Sequence, residues 1–248
     1  MGENRRGAGL TRRTMVETAL RLLDETGLDG LTVRRLATEL GVQSPALYWH
    51  LRNKQELLDA MADAIVLAAG MGPPRDGEPW QDWLRRRARA YRRSLLAHRD
   101  GARLVSNAAS LSPRTVRTFD EELTALVGLG FTPVLALRTI TAVTRYVNGF
   151  VLQEQTERQV PDGAPAERLA ALAGLLDRGE DSTLVTALRE GGGQGGEDAF
   201  EHGLSVLVDG TAAALARDAG PARPGPSSGP SPGSPPGSPP GSPPEASP

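Results

Sequence analysis

The chain of 248 residues has no cysteine, which excludes disulfides, thiolate metal sites and cysteine nucleophiles. Histidine is nearly absent too: His50, His98 and His202 are the whole supply. Lysine occurs once, as Lys54, against 27 arginines. No apolar run approaches the roughly 18 residues of a membrane span, and the opening MGENRRGAG lacks the hydrophobic centre of a signal peptide. A cytoplasmic protein with no membrane partner is expected. HExxH, a phosphate-binding loop and a Ser-His-Asp set in recognisable context are also missing, so an enzyme is not expected. Neither sign of charge dominates, the net being −2. The distribution is uneven, however: residues 1–54 carry nine Arg or Lys against six Asp or Glu, with Arg5, Arg6, Arg12 and Arg13 at the front. A local basic patch on a near-neutral molecule suits a protein that touches phosphate with one end.

Two stretches interrupt the chain. From about Gly220 to Pro248 it repeats PPGS, with too few apolar groups to offset the entropy of ordering, so a disordered tail is expected. GGGQGG at 191–196 reads as a flexible loop. Elsewhere the apolar period is helical. Val16, Ala19, Leu20 and Leu23 recur at i, i+3, i+4 and i+7 and stop at Gly27. Leu84, Ala88, Tyr91 and Leu95 repeat the pattern, and Phe200, Leu204, Leu207, Val208, Thr211 and Leu215 extend it. Ser44-Pro45, Ser112-Pro113 and Thr132-Pro133 each offer a hydroxyl at an N-cap and proline at the first helical position. No convincing strand alternation is present, and the expected fold is all-α.

Residues 32–54 read TVRRLATELGVQSPALYWHLRNK. Thr32 is placed to cap a helix from Val33 to Leu40, and Gly41 permits the left-handed backbone of a tight turn. Ser44-Pro45 opens a second short helix. Ala37 is small where two helices cross, and Leu36, Leu40, Val42 and Leu47 hold the crossing. The spacing Ala37–Gly41–Leu47 is that of a helix-turn-helix. A packed helical hairpin without DNA can share that spacing. The second helix distinguishes the two readings, because Gln43, Ser44, Ala46, Tyr48, Trp49 and His50 crowd it. Gln, Ser and His can hydrogen-bond base edges or phosphates, and Ala46 can meet a thymine methyl. One of the two aromatics is expected partly buried, the other against sugar-phosphate. Asn53 caps the next helix with Glu56 as its capping-box partner, which puts Lys54 in the first turn, within reach of phosphate.

The segment LTVRRLATELGVQSPALYWHLRNKQELLDA resembles the DNA-binding domain of the tetracycline repressor (TetR) family. The likeness continues in WQDWLRRRARAYRRSLLAHRDGARL (80–104), FDEELTALVGLGF (119–131) and more loosely VLQEQTERQV (151–160), covering about residues 10–215. It implies a disordered basic arm over 1–9, a helix-turn-helix domain over 10–55, a helical ligand-binding and dimerisation domain over 56–218, and a tail from 219 to 248. By the resemblance, Arg34, Gln43, Pro45, Tyr48, Trp49, His50 and Lys54 match DNA-contacting positions. Val33, Ser44 and Ala46 stand where the family's namesake has Thr, Gln and Thr. A different operator is therefore expected, since one bidentate base contact is worth about 1–3 kcal/mol of discrimination.

The resemblance further implies a homodimer on double-stranded operator DNA, released by a small-molecule effector. The helices at about 133–157 and 198–217 are the dimerisation candidates, with Leu137, Ile140, Thr144, Val147 and Val151 as the first stripe. No metal or cofactor is expected. The namesake's drug arrives as a magnesium chelate, but its pocket Asn is replaced by Arg87, its metal-binding His falls at Val105 or Ser106, its Glu becomes Gln153 and its His near position 70 is Gly70. Trp83, Arg87 and Tyr91 recur every four residues and would line a pocket for a flat or anionic natural product. Alternatively, Arg87 belongs to a solvated run with Arg85, Arg86, Arg89, Arg92 and Arg93. Asn107, Asn148 and Gln153 are further ligand-binding candidates. Two other readings remain: a regulator or activator without ligand control, and a module that works through its Pro-rich tail.

Overall fold

The computed structural model describes residues 10–158, 164–176, 182–190 and 196–218; the expected basic arm, most of the GGGQGG run and the Pro-rich tail lie outside them. The described residues form helices and no strand. A head is built from α1 (Arg12–Gly30), α2 (Val33–Glu39) and α3 (Ser44–Leu47). α4 (Lys54–Ala68) leads from it into α5 (Trp80–Leu96), α6 (Gly101–Ser106), α7 (Pro113–Gly128) and α8 (Pro133–Glu157), followed by α9 (Ala164–Gly174), α10 (Thr183–Glu190) and α11 (Glu197–Asp218). No helix among the described residues is long and apolar enough to cross a membrane.

Local chemistry fixes the helix ends. Hydroxyls of Thr11, Thr32, Ser112 and Thr132 accept from the backbone N–H three residues on. Ser44 departs from that expectation: α3 begins one residue earlier, with Gln43 at the N-cap and no side-chain cap. The reason is the turn bond from Ala46 N–H to the Gln43 carbonyl, 2.9 Å, which takes Ser44 into the helix. α2 ends in a Schellman motif. Gly41 sits at φ 66°, its N–H donates to Thr38 and the Val42 N–H to Ala37, at 3.1 and 3.0 Å.

The core is continuous from head to tail. Met15, Ala19, Leu22, Leu23, Leu36, Ala37, Leu47, Leu51 and Leu57 fill the head. Each large apolar side chain so buried contributes about 1.5–3 kcal/mol. In the larger part, α5 lies along α8, and α11 covers both. Trp80 meets Phe131 edge to face at 5.2 Å, and Tyr146, Phe150 and Phe200 form a second aromatic cluster. The stripes expected to meet a second subunit are in large part used within the chain: Ile140, Val147, Val151, Phe200, Leu204 and Val208 are buried here. Leu137 alone of the α8 set is more than half exposed, because it lies about a quarter turn from the centre of the buried face that holds Ala136, Val143 and Val147. With Val134, Leu152 and Val206 it forms the apolar surface these helices leave outside.

Candidate nucleic-acid interface and ligand core

The head presents a short helix on a rigid support. Leu47 is the one α3 side chain fully buried, against Met15, Leu36 and Leu51, and this turns its neighbours outward. Gln43, Pro45, Tyr48, Trp49 and His50 are exposed, and Ser44 and Ala46 are half-buried. Tyr48 borders a small cleft with Val33, Leu36 and Asn53 yet is 53% exposed, and Trp49 is 88% exposed, so neither aromatic is the partly buried one expected: Leu47 takes the inward position instead. A bare indole of that kind is costly in water, and stacking on a partner removes the cost.

The same surface carries positive charge. Arg12, Arg13 and Arg21 are paired with Glu56, Glu17 and Glu25/Glu39. Among the described residues Arg34, Arg35, Arg52 and Lys54 are exposed and make no ion pair. Lys54 opens α4 behind a built cap: the Asn53 side chain accepts from the Glu56 N–H at 2.8 Å, and the Glu56 carboxylate accepts from the Arg52 N–H at 2.8 Å.

The head is joined to the rest at two places. At the end of α1, Gly27 turns at φ 71° and the Leu28 N–H donates to the Asp100 carboxylate at 2.8 Å. Beside it, Asp24 accepts from the Arg99 N–H at 2.9 Å and faces His98 Nδ1 at 3.1 Å, and Arg103 makes a bidentate pair with Asp29. The second joint is α4. Its Asp59 accepts from the Ala109 N–H and the Ser110 hydroxyl, and its Asp63 from the Ser112 N–H and the Thr115 hydroxyl. Burial raises the Asp59 carboxyl, but hydrogen bonds from Ser110, Gln55 and Ala109 outweigh it and hold the group below its ordinary value. An open groove of about 770 Å³ lies between α1, α4 and the 110–113 turn.

The larger part encloses a polar centre. Trp83, Arg87 and Tyr91 are all buried on the inner face of α5. Arg87 therefore does not belong to a solvated arginine run. The helical period turns it inward while Arg89 and Arg93 remain outside. Arg92 is also withdrawn, paired with Glu154 and Glu197 and lying over Phe200 at 4.5 Å. Arg87 Nε donates to both oxygens of Glu122, at 2.9 and 3.0 Å, and Glu122 is fully buried. Burial pushes the Glu122 carboxyl up, against the pull of Arg87 and a hydrogen bond from the Gly72 N–H. The Trp83 indole donates to the Gly72 carbonyl at 2.8 Å. Burial also raises the Tyr91 phenol to about 12.

The remaining candidates lie apart from this centre. Asn148 donates to the Ser106 hydroxyl at 2.7 Å, while its own oxygen is buried without a partner among the described residues. Asn107 is exposed at the end of α6, where its carbonyl accepts from Gln55 of α4. Gln153 is exposed and pairs with Glu157. The inward glutamine is Gln155, which accepts from Ala102 N–H and donates to the carbonyls of Leu95 and His98. Sequence reasoning missed both Gln155 and Glu122. Val105 and Ser106, where the resemblance places the namesake's metal-binding His, carry an apolar and a hydroxyl side chain, and among the described residues no three His, Asp or Glu side chains converge.

A three-helix head with an exposed polar and aromatic third helix, carried on an all-helical body with a polar centre, defines a helix-turn-helix transcriptional regulator with a ligand domain. Residues 15–61 match the family described as bacterial regulatory proteins, tetR family, and residues 73–215 match the tetracyclin repressor-like C-terminal domain. The chain belongs to the tetracycline repressor family. It is 40% identical over 205 residues to the class A tetracycline repressor protein from transposon 1721 of Escherichia coli, covering 82% of this chain and 91% of that protein. Among solved structures it is similar to ActR of Streptomyces coelicolor in complex with (S)-DNPA, with TM-score 0.71 and 29% identity over 84% of this chain and 99% of the other. It is also similar to BioQ with its natural double-stranded DNA operator, with TM-score 0.58 and 32% identity over 82% and 99%.

Proposed function

We propose that this protein is a homodimeric repressor that binds palindromic operator DNA through its head and lets go when a small molecule enters the helical domain. The observation that carries the reading is the surface around α3, where Gln43 at its start and Tyr48, Trp49 and His50 in the turn after it stand exposed while Leu47, the one buried α3 residue, locks the helix to the head. Arg34, Gln43, Ser44, Pro45, Ala46, Tyr48, Trp49, His50 and Lys54 are assigned to DNA. Exposed side chains of α3 read base edges in the major groove, while Arg34 and Lys54 meet phosphates. The operator-bound state of BioQ supports this assignment.

A second copy is required because a helix this short reads only a few base pairs. Two heads spaced about 34–36 Å apart reach successive major grooves. Val134, Leu137, Leu152 and Val206 on α8 and α11 offer the apolar contact. The effector site is assigned to Trp83, Arg87 and Tyr91; ActR with (S)-DNPA supports a small-molecule ligand. Release then runs through α4, which is bonded to the 107–115 segment and borders the open groove beside α1. A coupling of about 1–3 kcal/mol suffices for graded release.

The test is capture of genomic fragments on the purified protein at about 150 mM salt, which suppresses contacts to phosphate alone. A few palindromic sites are expected. Uniform capture without a palindrome would sink the reading.

A further inference from the structure

Arg87 is a buried guanidinium whose two edges have partners of unequal strength. Glu122 sits on Nε, with both oxygens within 3.0 Å. The terminal edge has weaker company: Nη1 reaches the Thr144 hydroxyl at 3.4 Å, and Nη2 the Met71 thioether at 3.4 Å. Two parallel N–H groups in a fork match a carboxylate far better than a distant hydroxyl and a sulfur. This side chain is 2% exposed, so water cannot make up the difference. Around it stand aromatic surfaces, Trp83 and Tyr91 on α5 and the Phe119 ring 5.7 Å from the guanidinium carbon.

We propose that the Nη1–Nη2 edge of Arg87 anchors an effector bearing a carboxylate on a planar aromatic body, and that this anion takes the place of the Met71 thioether. The inference rests on the small-molecule reading above and names the chemistry that site selects. It also supplies the link to DNA. Met71 and Gly72 follow α4 closely, Gly72 is held by Glu122 and Trp83, and Met71 lies on Nη2 itself. An anion at Nη2 strips that contact from the segment that anchors the far end of α4. Charge can be balanced within the site. Arg87 is neutralised by Glu122, and Arg86, also on α5, adds a weaker pull on the same carboxyl. The entering negative charge is met by a proton on Glu122, whose burial already favours the neutral form.

The experiment pairs each aromatic acid with its primary carboxamide, for example 2-naphthoate with 2-naphthamide and anthraquinone-2-carboxylate with its amide. Binding to the full chain is measured by calorimetry, and release by fluorescence anisotropy on a fragment the protein itself has captured. The acids are expected to bind roughly 30-fold more tightly than the amides and to release DNA in the same order. In the Arg87→Gln/Glu122→Gln double variant, neutral and of similar size, the preference is expected to vanish, with the helical circular dichroism and a single melting transition showing that the fold is kept. In Arg87→Lys it is expected to fall about tenfold, because the fork is lost and the charge kept. Equal binding of acid and amide by the unaltered protein overturns the inference, as does absence of acid binding at millimolar concentration. Both leave the DNA reading standing. Failure to capture any operator overturns the proposed function instead.

Discussion

Residues 44–50 and 83–91 each carry two aromatic residues, and the fold treats them oppositely. In α3 and the turn after it, Tyr48 and Trp49 are 53% and 88% exposed; in α5, Trp83 and Tyr91 are 0% and 2% exposed. The difference separates two jobs. The α5 pair is spent on the interior and on positioning a buried ion pair, whereas the α3 pair is held out by one buried leucine. Changes at the α5 site should therefore be read out in stability as well as in effector binding, and changes at the surface around α3 in DNA binding alone. The largest expected effect comes from Glu122→Leu, which leaves Arg87 buried and uncompensated at a cost of about 3–5 kcal/mol. Urea unfolding checks it against Arg87→Met/Glu122→Leu, which removes both charges and is expected to recover most of the loss. A single variant as stable as the double would show that water or a rearranged Arg87 relieves the charge, and would remove the contrast between the two regions.

The support beneath α3 lies between these extremes. Leu47→Ala empties a position 3% exposed and is expected to cost about 2–4 kcal/mol, concentrated in the head. Hydrogen exchange should place the loss in α1–α3 and leave α5 and α8 protected. Equal loosening throughout would mean that head and body unfold as one unit. Gly41→Ala is milder. It forces a side chain into the left-handed backbone at φ 66°, with open space around it, for about 1–2 kcal/mol. Operator affinity should fall with the same head-localised loosening.

How much of this was legible in the sequence follows from what a one-dimensional pattern can carry. The caps at Thr32, Asn53, Ser112 and Thr132 (not the one expected at Ser44), the turn glycine and the buried faces of α1, α2 and α5 were readable, because each depends on residues within one or two turns of each other. The centre of the body was not, since it depends on two helices meeting. DEE at 120–122 looks like surface charge, yet Glu122 is seven residues after Thr115 and four before Leu126, in phase with the buried face of α7. Arg87 is likewise in phase with Trp83 and Tyr91. Two opposite charges, each in register with an apolar stripe, are the signal that would have announced the pair. The same rule separates Gln155, in phase with Val147 and Val151, from Gln153, which faces outward. The dimerisation stripe failed for a related reason: a 25-residue helix has apolar residues on two faces, and period alone does not say which one the chain's own core takes.

The smallest expected change in stability belongs to the residue with the most to lose in function. Trp49→Ala removes an indole that is 88% exposed, so unfolding should shift by no more than about 0.5 kcal/mol. Operator affinity should nevertheless fall about tenfold or more, since a large aromatic that is buried only on binding is the usual form of a hot spot. Salt distinguishes how Trp49 acts. If the indole packs against sugar or base, the slope of log K against log salt should be unchanged in the variant, whereas Lys54→Ala should reduce it by about one. A Trp49→Ala protein that binds DNA normally would mean that the exposed ring serves another surface, and α3 would then lose the feature that most sharply sets it apart from α5.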